Sequence, residues 1–178
     1  MLPSDQAYWV EELRRSFVYD EELGEVYWNI RKKHVVFGSR AGTVNKGREG
    51  LYRRNIKCGQ RRFRETVVIW VLKTGEFPPK GMIIDHINRN PLDNRWANLR
   101  LATLSQNQQN KVLPVTTLKG VSFHAGKGRT RPWRARITIN RREISLGVYA
   151  TKEEAFDAYC VAAAKYHGEY SSLGVVCL

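Results

Sequence analysis

An acidic residue and a histidine stand side by side at Asp85-His86, and asparagines follow them at defined distances. Asn98 lies 12 residues and Asn107 lies 21 residues after His86. Hydrolysis of a phosphodiester with a single metal ion needs a hard anionic ligand for the cation and a base that takes a proton from water. A third group must orient that base. These residue types therefore predict metal-assisted phosphodiester hydrolysis.

Each member of the set has a predicted role. His86 is the predicted general base, because a neutral imidazole near pH 7 can accept a proton from the attacking water. Asp85 is the predicted anionic metal ligand, and Asn107 is the predicted second ligand through its amide oxygen. The donors are oxygen-rich and contain no thiolate, which favours Mg²⁺ or Mn²⁺ over structural zinc.

The stretch from Asp85 to Asn110 resembles the ββα-metal core of HNH nucleases, in particular that of phage homing endonucleases. The resemblance implies a DNA endonuclease with one divalent metal ion and no small-molecule cofactor, acting on double-stranded DNA. It also implies a phage protein in the cytoplasm of a bacterial host. Many relatives carry His at the position of Asn107, whereas nicking phage enzymes often carry Asn. Residues 63–70 also resemble this family, but Thr66 stands where members often have His.

In this resemblance Asn98 is the middle asparagine of the HNH signature. It is expected to hydrogen-bond the backbone across the loop and to hold His86 in register. Asn94 and Asn110 are alternatives for that role.

The composition indicates a folded protein with a polyanionic partner. The 178 residues include 30 Lys and Arg against 17 Asp and Glu, for a net charge of +13, and 42% of the residues are hydrophobic. No apolar run is long enough to span a membrane and no basic amphipathic helix is evident, so a membrane partner is not expected. Residues 1–5 lack the charged and apolar regions of a signal peptide, so secretion is not expected. Cys58, Cys160 and Cys177 are far apart, which disfavours zinc knuckles and disulfides.

Local patterns predict the elements around the motif. A helix is expected over 5–17, a strand over 26–28, and a hairpin from two basic stretches, 51–57 and 61–64, around Cys58-Gly59-Gln60. The apolar run from Thr66 to Lys73 is predicted to be a helix, because Gly75 and two prolines follow it. Residues 82–84 are expected to form a short strand that carries Asp85 and His86 at its end.

The C-terminal third has its own pattern. Residues 133–139 alternate between an apolar face and a polar face, the latter formed by Arg134, Arg136 and Thr138. Thr151 and the following glutamates form a capping box at the start of a helix that Gly168 ends. Residues 119–173 resemble an AP2 (ERF-type) DNA-binding domain, through matches that include Trp133-Arg134-Ala135-Arg136-Ile137 and Leu146-Gly147-Val148-Tyr149.

The polar face of this sheet is predicted to enter a major groove, where arginine can pair with guanine. Thr138 lies on the same face as the two arginines. Other basic residues are predicted to contact phosphates, which positions the protein without specifying sequence. They are Lys127, Arg129, Arg131 and Arg142.

The predicted fold class is α+β. An HNH nuclease unit with a small β-rich extension is expected over 1–111, with its motif core at 81–111, followed by a linker at 112–118. An AP2-type domain with a three-stranded antiparallel sheet on one helix is expected over 119–178. One active site per chain implies nicking by a monomer, whereas cleavage of both strands would need a dimer or two sequential events. The alternative is a sequence-specific DNA-binding regulator with an inactive HNH unit; an RNA-binding protein is less favoured, since no aromatic platform is visible.

Overall fold

The structure, a computed structural model, describes residues 3–47, 52–110, 118–124 and 130–170. The chain divides into two compact units, residues 1–103 and 104–178. The predicted boundary at residue 111 and most of the predicted linker lie outside the described residues.

The first unit surrounds a single apolar core with helices and small antiparallel sheets. The core includes Leu13, Ile56, Val68, Ile69 and Val71, all fully buried. In chain order the elements are α1 (Pro3–Ser16), β1 (Phe17–Asp20), β2 (Glu25–Trp28), β3 (Thr43–Lys46), β4 (Tyr52–Cys58), β5 (Arg61–Arg64), α2 (Glu65–Thr74), β6 (Met82–His86) and β7 (Leu99–Thr103). The strands pair as β1–β2, β3–β4–β5 and β6–β7.

Helix α2 confirms the interpretation of the apolar run as a helix. Its run is apolar on most sides because core residues surround it, as expected for a buried helix. Gly75 ends it in the left-handed conformation and donates its amide to the Val71 carbonyl at 2.9 Å. The helix begins at Glu65, which is almost fully buried, so its first residue faces into the unit rather than into solvent.

Strands β6 and β7 form the hairpin that carries the motif. Their register places Asp85 directly opposite Arg100 and His86 opposite Leu99. The loop between them contains a short 3₁₀ turn at Trp96–Asn98. The hairpin therefore presents the acid and the histidine at one end, beside the asparagine-rich loop.

The second unit is a three-stranded antiparallel sheet that packs on a helix. Its elements are α3 (Leu104–Asn110), β8 (Val121–Phe123), β9 (Trp133–Ile139), β10 (Arg142–Tyr149) and α4 (Lys152–His167), with sheet order β10–β9–β8. Ile137 on β9 packs with Tyr159, Ala162 and Ala163 of α4. The predicted capping box is present: Glu154 donates its amide to the Thr151 hydroxyl at 3.1 Å, and its carboxylate accepts from the Thr151 amide. The predicted α+β class is confirmed.

Candidate active site

Asp85 lies at the end of β6 with a cation beside it. Its side chain is nearly buried, and its Oδ2 accepts a hydrogen bond from Arg100 Nε at 3.1 Å and lies 3.1 Å from Arg100 Nη2. The cross-strand register brings the two side chains together, since opposed residues of an antiparallel pair share one face of the hairpin. A positive charge at this carboxylate is therefore already part of the folded protein.

One ring nitrogen of His86 has a loop asparagine as its partner. Its Nε2 lies 2.8 Å from Oδ1 of Asn94. Because an amide oxygen only accepts hydrogen bonds, Nε2 carries the proton and Nδ1 carries the lone pair in the neutral ring. Burial lowers the pKa of His86, and the Asn94 hydrogen bond and the nearby Asp85 charge oppose this effect. A neutral imidazole with Nδ1 as its basic atom is what a general base requires.

Three contacts fix Asn94, which is itself buried. Its Nδ2 donates to Oε2 of Glu65 at 2.7 Å, an arrangement that leaves Oδ1 for His86. Its backbone carbonyl accepts from the Tyr19 hydroxyl at 2.9 Å. Gly24, in the β1–β2 turn, approaches so closely that an added Cβ would lie 2.8 Å from the Asn94 carbonyl carbon and 2.5 Å from the Arg95 amide nitrogen.

We expect Gly24→Ala to destabilise the first unit and to reduce the activity of the site. Gly24 has a φ of +69°, so alanine adds left-handed strain of about 1–2 kcal/mol and an overpacking cost of about 1–3 kcal/mol against rigid backbone. Urea denaturation measures the loss of unfolding free energy. A lower rate of the predicted phosphodiester cleavage would indicate that Asn94 has been displaced.

Gly38→Ala is the matched control. Gly38 has a similar φ of +76°, but nothing lies within 4 Å of an added Cβ. This variant should therefore show the conformational cost alone and keep the wild-type cleavage rate. Equal destabilisation by the two substitutions would contradict the inferred contact between the turn and the Asn94 loop.

Asn98 holds the loop rather than the histidine ring. Its Oδ1 accepts from the Asn88 amide at 2.9 Å, and its Nδ2 donates to the Asn88 side chain at 2.9 Å and to the Asp93 carbonyl at 2.6 Å. Its carbonyl accepts from the Ile87 amide at 2.9 Å. Asn94 is the asparagine that is hydrogen-bonded to Nε2 of His86. The sequence indicated it only as an alternative to Asn98 for holding His86.

Asn107 lies on α3 and is half-buried. That helix is grouped with the second compact unit, whereas Asp85 and His86 belong to the first. The role of Asn107 as a second metal ligand remains a prediction. Asn110, the other alternative for the orienting role, lies at the end of the same helix and is buried.

The predicted metal ligands carry oxygen donors, which are the kind that a hard cation prefers. A carboxylate and amide oxygens are the donors that Mg²⁺ and Mn²⁺ prefer. The described residues contain no group of three or more His, Cys, Asp and Glu side chains positioned to hold a metal ion. The role of Asp85 as the anionic ligand stays a prediction, and its Oδ2 lies 3.1 Å from Nη2 of Arg100.

The predicted DNA-reading residues lie on one side of β9 where they are described. Arg136 and Thr138 are exposed, and Arg134 is half-buried. Arg136 pairs with Glu143 of the adjacent strand at 3.0 Å. Among the predicted phosphate contacts, Arg131 and Arg142 are exposed, and Lys127 and Arg129 lie outside the described residues.

A second basic surface lies on the first unit, and it was not among the predicted site residues. Opposed pairs Asn55–Arg64 and Lys57–Arg62 share one face of β4–β5, and Arg53 lies on that same face by the two-residue repeat. We name this surface, formed by Arg53, Asn55, Lys57, Arg62 and Arg64, the basic sheet face. Within the described ranges no carboxylate pairs with its four cations. Burial is the main cause of the lowered pKa of His86, and the positive charge of Arg53 acts in the same direction.

Comparison with known proteins finds a family match for the motif region. Residues 66–109 match the family described as HNH endonuclease. The chain is 29% identical to Protein 3.8 of Escherichia phage T7 over 101 residues, which cover 51% of this chain and 83% of that protein. It is 32% identical to an uncharacterized HNH endonuclease of Acanthamoeba polyphaga mimivirus, over 53% of this chain and 48% of that protein.

Two further similarities have lower sequence identity. An AP2-like ethylene-responsive transcription factor of Arabidopsis thaliana is 28% identical over 72% of this chain, but over only 22% of its own length. A solved structure of the HNH homing endonuclease I-HmuI aligns with a TM-score of 0.38 and 17% identity, over 89% of this chain and 88% of that one. Among the described residues, every helix is too short or too polar to span a bilayer.

Proposed function

We propose that this protein is a DNA endonuclease that hydrolyses a phosphodiester bond with a divalent metal ion and with His86 as general base. The hydrogen bond of 2.8 Å from His86 Nε2 to Asn94 Oδ1 is the observation that carries the proposal, because it makes Nδ1 the basic atom of the neutral imidazole. The location of His86 within the segment that matches the HNH endonuclease family supports DNA as the substrate.

In this mechanism the side chains divide the work. Nδ1 of His86 takes the proton from a water molecule as the water attacks phosphorus. Asp85, with Asn107 as the proposed second ligand, would hold Mg²⁺ or Mn²⁺. A divalent ion there supplies charge neutralisation for the phosphoryl oxygens and the leaving group. Arg100 balances the Asp85 carboxylate in the folded protein.

Binding of double-stranded DNA is assigned to two basic surfaces. The basic sheet face lies in the same unit as His86 and is suited to phosphate contacts. The second unit is proposed to be an AP2-type module whose β9 face reads base edges, a proposal supported by the partial similarity to the plant transcription factor. One active site per chain gives nicking by a monomer and cleavage of both strands by a dimer. The proposed setting is the cytoplasm of a phage-infected bacterial cell.

Supercoiled plasmid tests this function directly. The protein with Mg²⁺ or Mn²⁺ should convert it to the open-circular form, and EDTA should stop the reaction. Asp85→Ala should be inactive under the same conditions. Tight DNA binding without cleavage under any of these metals would instead identify a DNA-binding regulator with an inactive HNH unit.

Substitutions on the second unit should separate base reading from phosphate binding. The preferred DNA site is first identified by selection from a random library. We expect Arg136→Ala to reduce the preference for that site over random DNA by about 1–3 kcal/mol, because a bidentate arginine–guanine pair is lost. Arg142→Ala, the control, should weaken binding to both DNAs equally and reduce the salt slope by about one. Binding selections from a random library, followed by titrations, measure both effects. Equal loss of both affinities in Arg136→Ala would assign that arginine to the backbone.

A further inference from the structure

Glu65 is a buried acid that the proposed mechanism does not yet use. Its side chain is 1% exposed, at the first residue of α2. Burying a carboxylate is costly unless it is paired and hydrogen-bonded. Its neighbours are two arginines in ion-pair range, with Arg54 Nε at 3.8 Å from Oε2 and Arg40 Nη2 at 4.0 Å from Oε1. Its short hydrogen bond, at 2.7 Å, comes from the Asn94 side chain.

The chemistry of these partners fixes the direction of the hydrogen bonds. An ionised carboxylate only accepts, so Asn94 must turn its Nδ2 to Glu65 and its Oδ1 to His86. Oδ1 in turn accepts only, so the proton of the neutral imidazole must lie on Nε2. Burial raises the pKa of Glu65, while Arg40 and Arg54 oppose that effect and favour the anion.

We propose that Glu65 is a positioning residue for catalysis: through Asn94 it selects the His86 tautomer that has its lone pair on Nδ1. The inference rests on the proposed function, since it concerns the general base of that reaction. It adds a residue 29 positions from Asn94 in sequence and on a different element. Glu65 does not contact the reacting atoms. Its carboxylate prevents the side-chain amide of Asn94 from turning over, which would present Nδ2 to His86.

Glu65→Gln tests the direction of the hydrogen bonds at nearly constant shape. A glutamine can donate as well as accept, so the Asn94 amide becomes free to turn over and to offer Nδ2 to His86. The proton would then move to Nδ1 in part of the molecules, and those molecules lack the base. We expect the single-turnover cleavage rate to fall by about 10- to 100-fold with unchanged DNA affinity, less than the loss of about 10⁴ when a triad Asp→Asn change fixes the wrong tautomer.

Glu25→Gln is the matched control. Glu25 pairs with the same Arg40 but has no hydrogen bond to Asn94, so the variant removes a nearby carboxylate and leaves the Asn94 contact. It should cleave at the wild-type rate. A similar loss of rate in both variants would show that the charge around Arg40 matters and that the Asn94 contact does not.

A double-mutant cycle separates positioning from a purely structural role. If Glu65 acts only through Asn94, then Glu65→Gln should change the rate of Asn94→Ala by less than about twofold. Additive losses would overturn the proposal. If Glu65→Gln does not fold, Glu65→Asp allows the same cycle, because it keeps the charge but is one methylene too short to reach Asn94.

Nitrogen-15 NMR of the full chain reports the tautomer of the His86 ring and does not depend on DNA cleavage. His86→Asn identifies the ring resonances of His86 among the four histidines. Wild type should show a protonated Nε2, and Glu65→Gln should shift population to a protonated Nδ1; unchanged ring shifts would overturn the proposal. If wild-type protein fails to cut DNA, the proposed function fails, and this spectrum still decides whether Glu65 sets the tautomer.

Discussion

Replacing His86 with alanine is expected to lower the rate of DNA cleavage by about 10²–10⁴-fold, the usual contribution of a positioned general base. DNA affinity should stay within a few-fold of wild type, because the imidazole activates water and does not grip phosphate. The loss should appear in single-turnover rates at saturating protein, which exclude slow product release. Neither Mn²⁺ nor a higher Mg²⁺ concentration should restore the rate, since the missing step is proton removal.

His34→Ala is the control for this substitution. His34 is an exposed histidine of the same unit, so the variant removes an imidazole that lies outside the proposed site. It should cleave DNA normally. Robust nicking by His86→Ala would refute the assignment of the general base, and loss of DNA binding in parallel with cleavage would assign His86 to substrate contact.

The affinity for DNA should fall steeply with salt. With a net charge of +13 and two basic surfaces, we expect contacts to several phosphates, on the order of 6–10. Release of condensed counterions then lowers affinity by roughly 10³–10⁵ between 50 and 200 mM salt. Titrations of a labelled duplex at four or more salt concentrations give the slope of log affinity against log salt concentration.

Single substitutions assign part of that slope to the basic sheet face. Lys57→Ala and Arg62→Ala should each reduce the slope by about one and leave sequence preference unchanged. Lys73→Ala is the matched control, because Lys73 is a cation of the same unit that lies on α2 and is not part of the basic sheet face. A slope that is unchanged in Lys57→Ala and Arg62→Ala would exclude this face from the DNA interface.

The sequence predicted the secondary structure well where the signals are local. The end of α2 follows from Gly75, and the start of α4 follows from the Thr151 capping box, because each feature satisfies backbone groups within a few residues. The two-residue repeat of β9 likewise predicted which side chains face α4. The adjacency of Asp85 and His86 is covalent, so it needed no fold to bring them together.

The conformation of the β6–β7 loop decides which asparagine is hydrogen-bonded to His86. Asn94 and Asn98 are both asparagines within a few residues of each other, and the resemblance to HNH nucleases gave Asn98 the role of bonding the backbone across the loop, with Asn94 as an alternative. In the folded loop Asn98 satisfies the backbone of Asn88 and Asp93, and Asn94 is the residue that reaches the ring. The positive φ of Arg89, at +66°, helps to shape this loop, and a sequence pattern does not predict such a conformation for arginine.

Residues far apart in the chain complete the site, and tertiary structure alone places them. Tyr19 reaches the Asn94 carbonyl from 75 residues away, and Glu65 reaches the Asn94 side chain from 29 residues away. Neither has a local signal of function: Glu65 looks like an ordinary acidic residue in the first turn of a helix. The sequence by itself determined the acid–histidine pair and the elements that carry it. The packing of α2 and the β1–β2 turn against the loop decided the hydrogen bonds of the base, because buried polar groups must find partners wherever the core brings them.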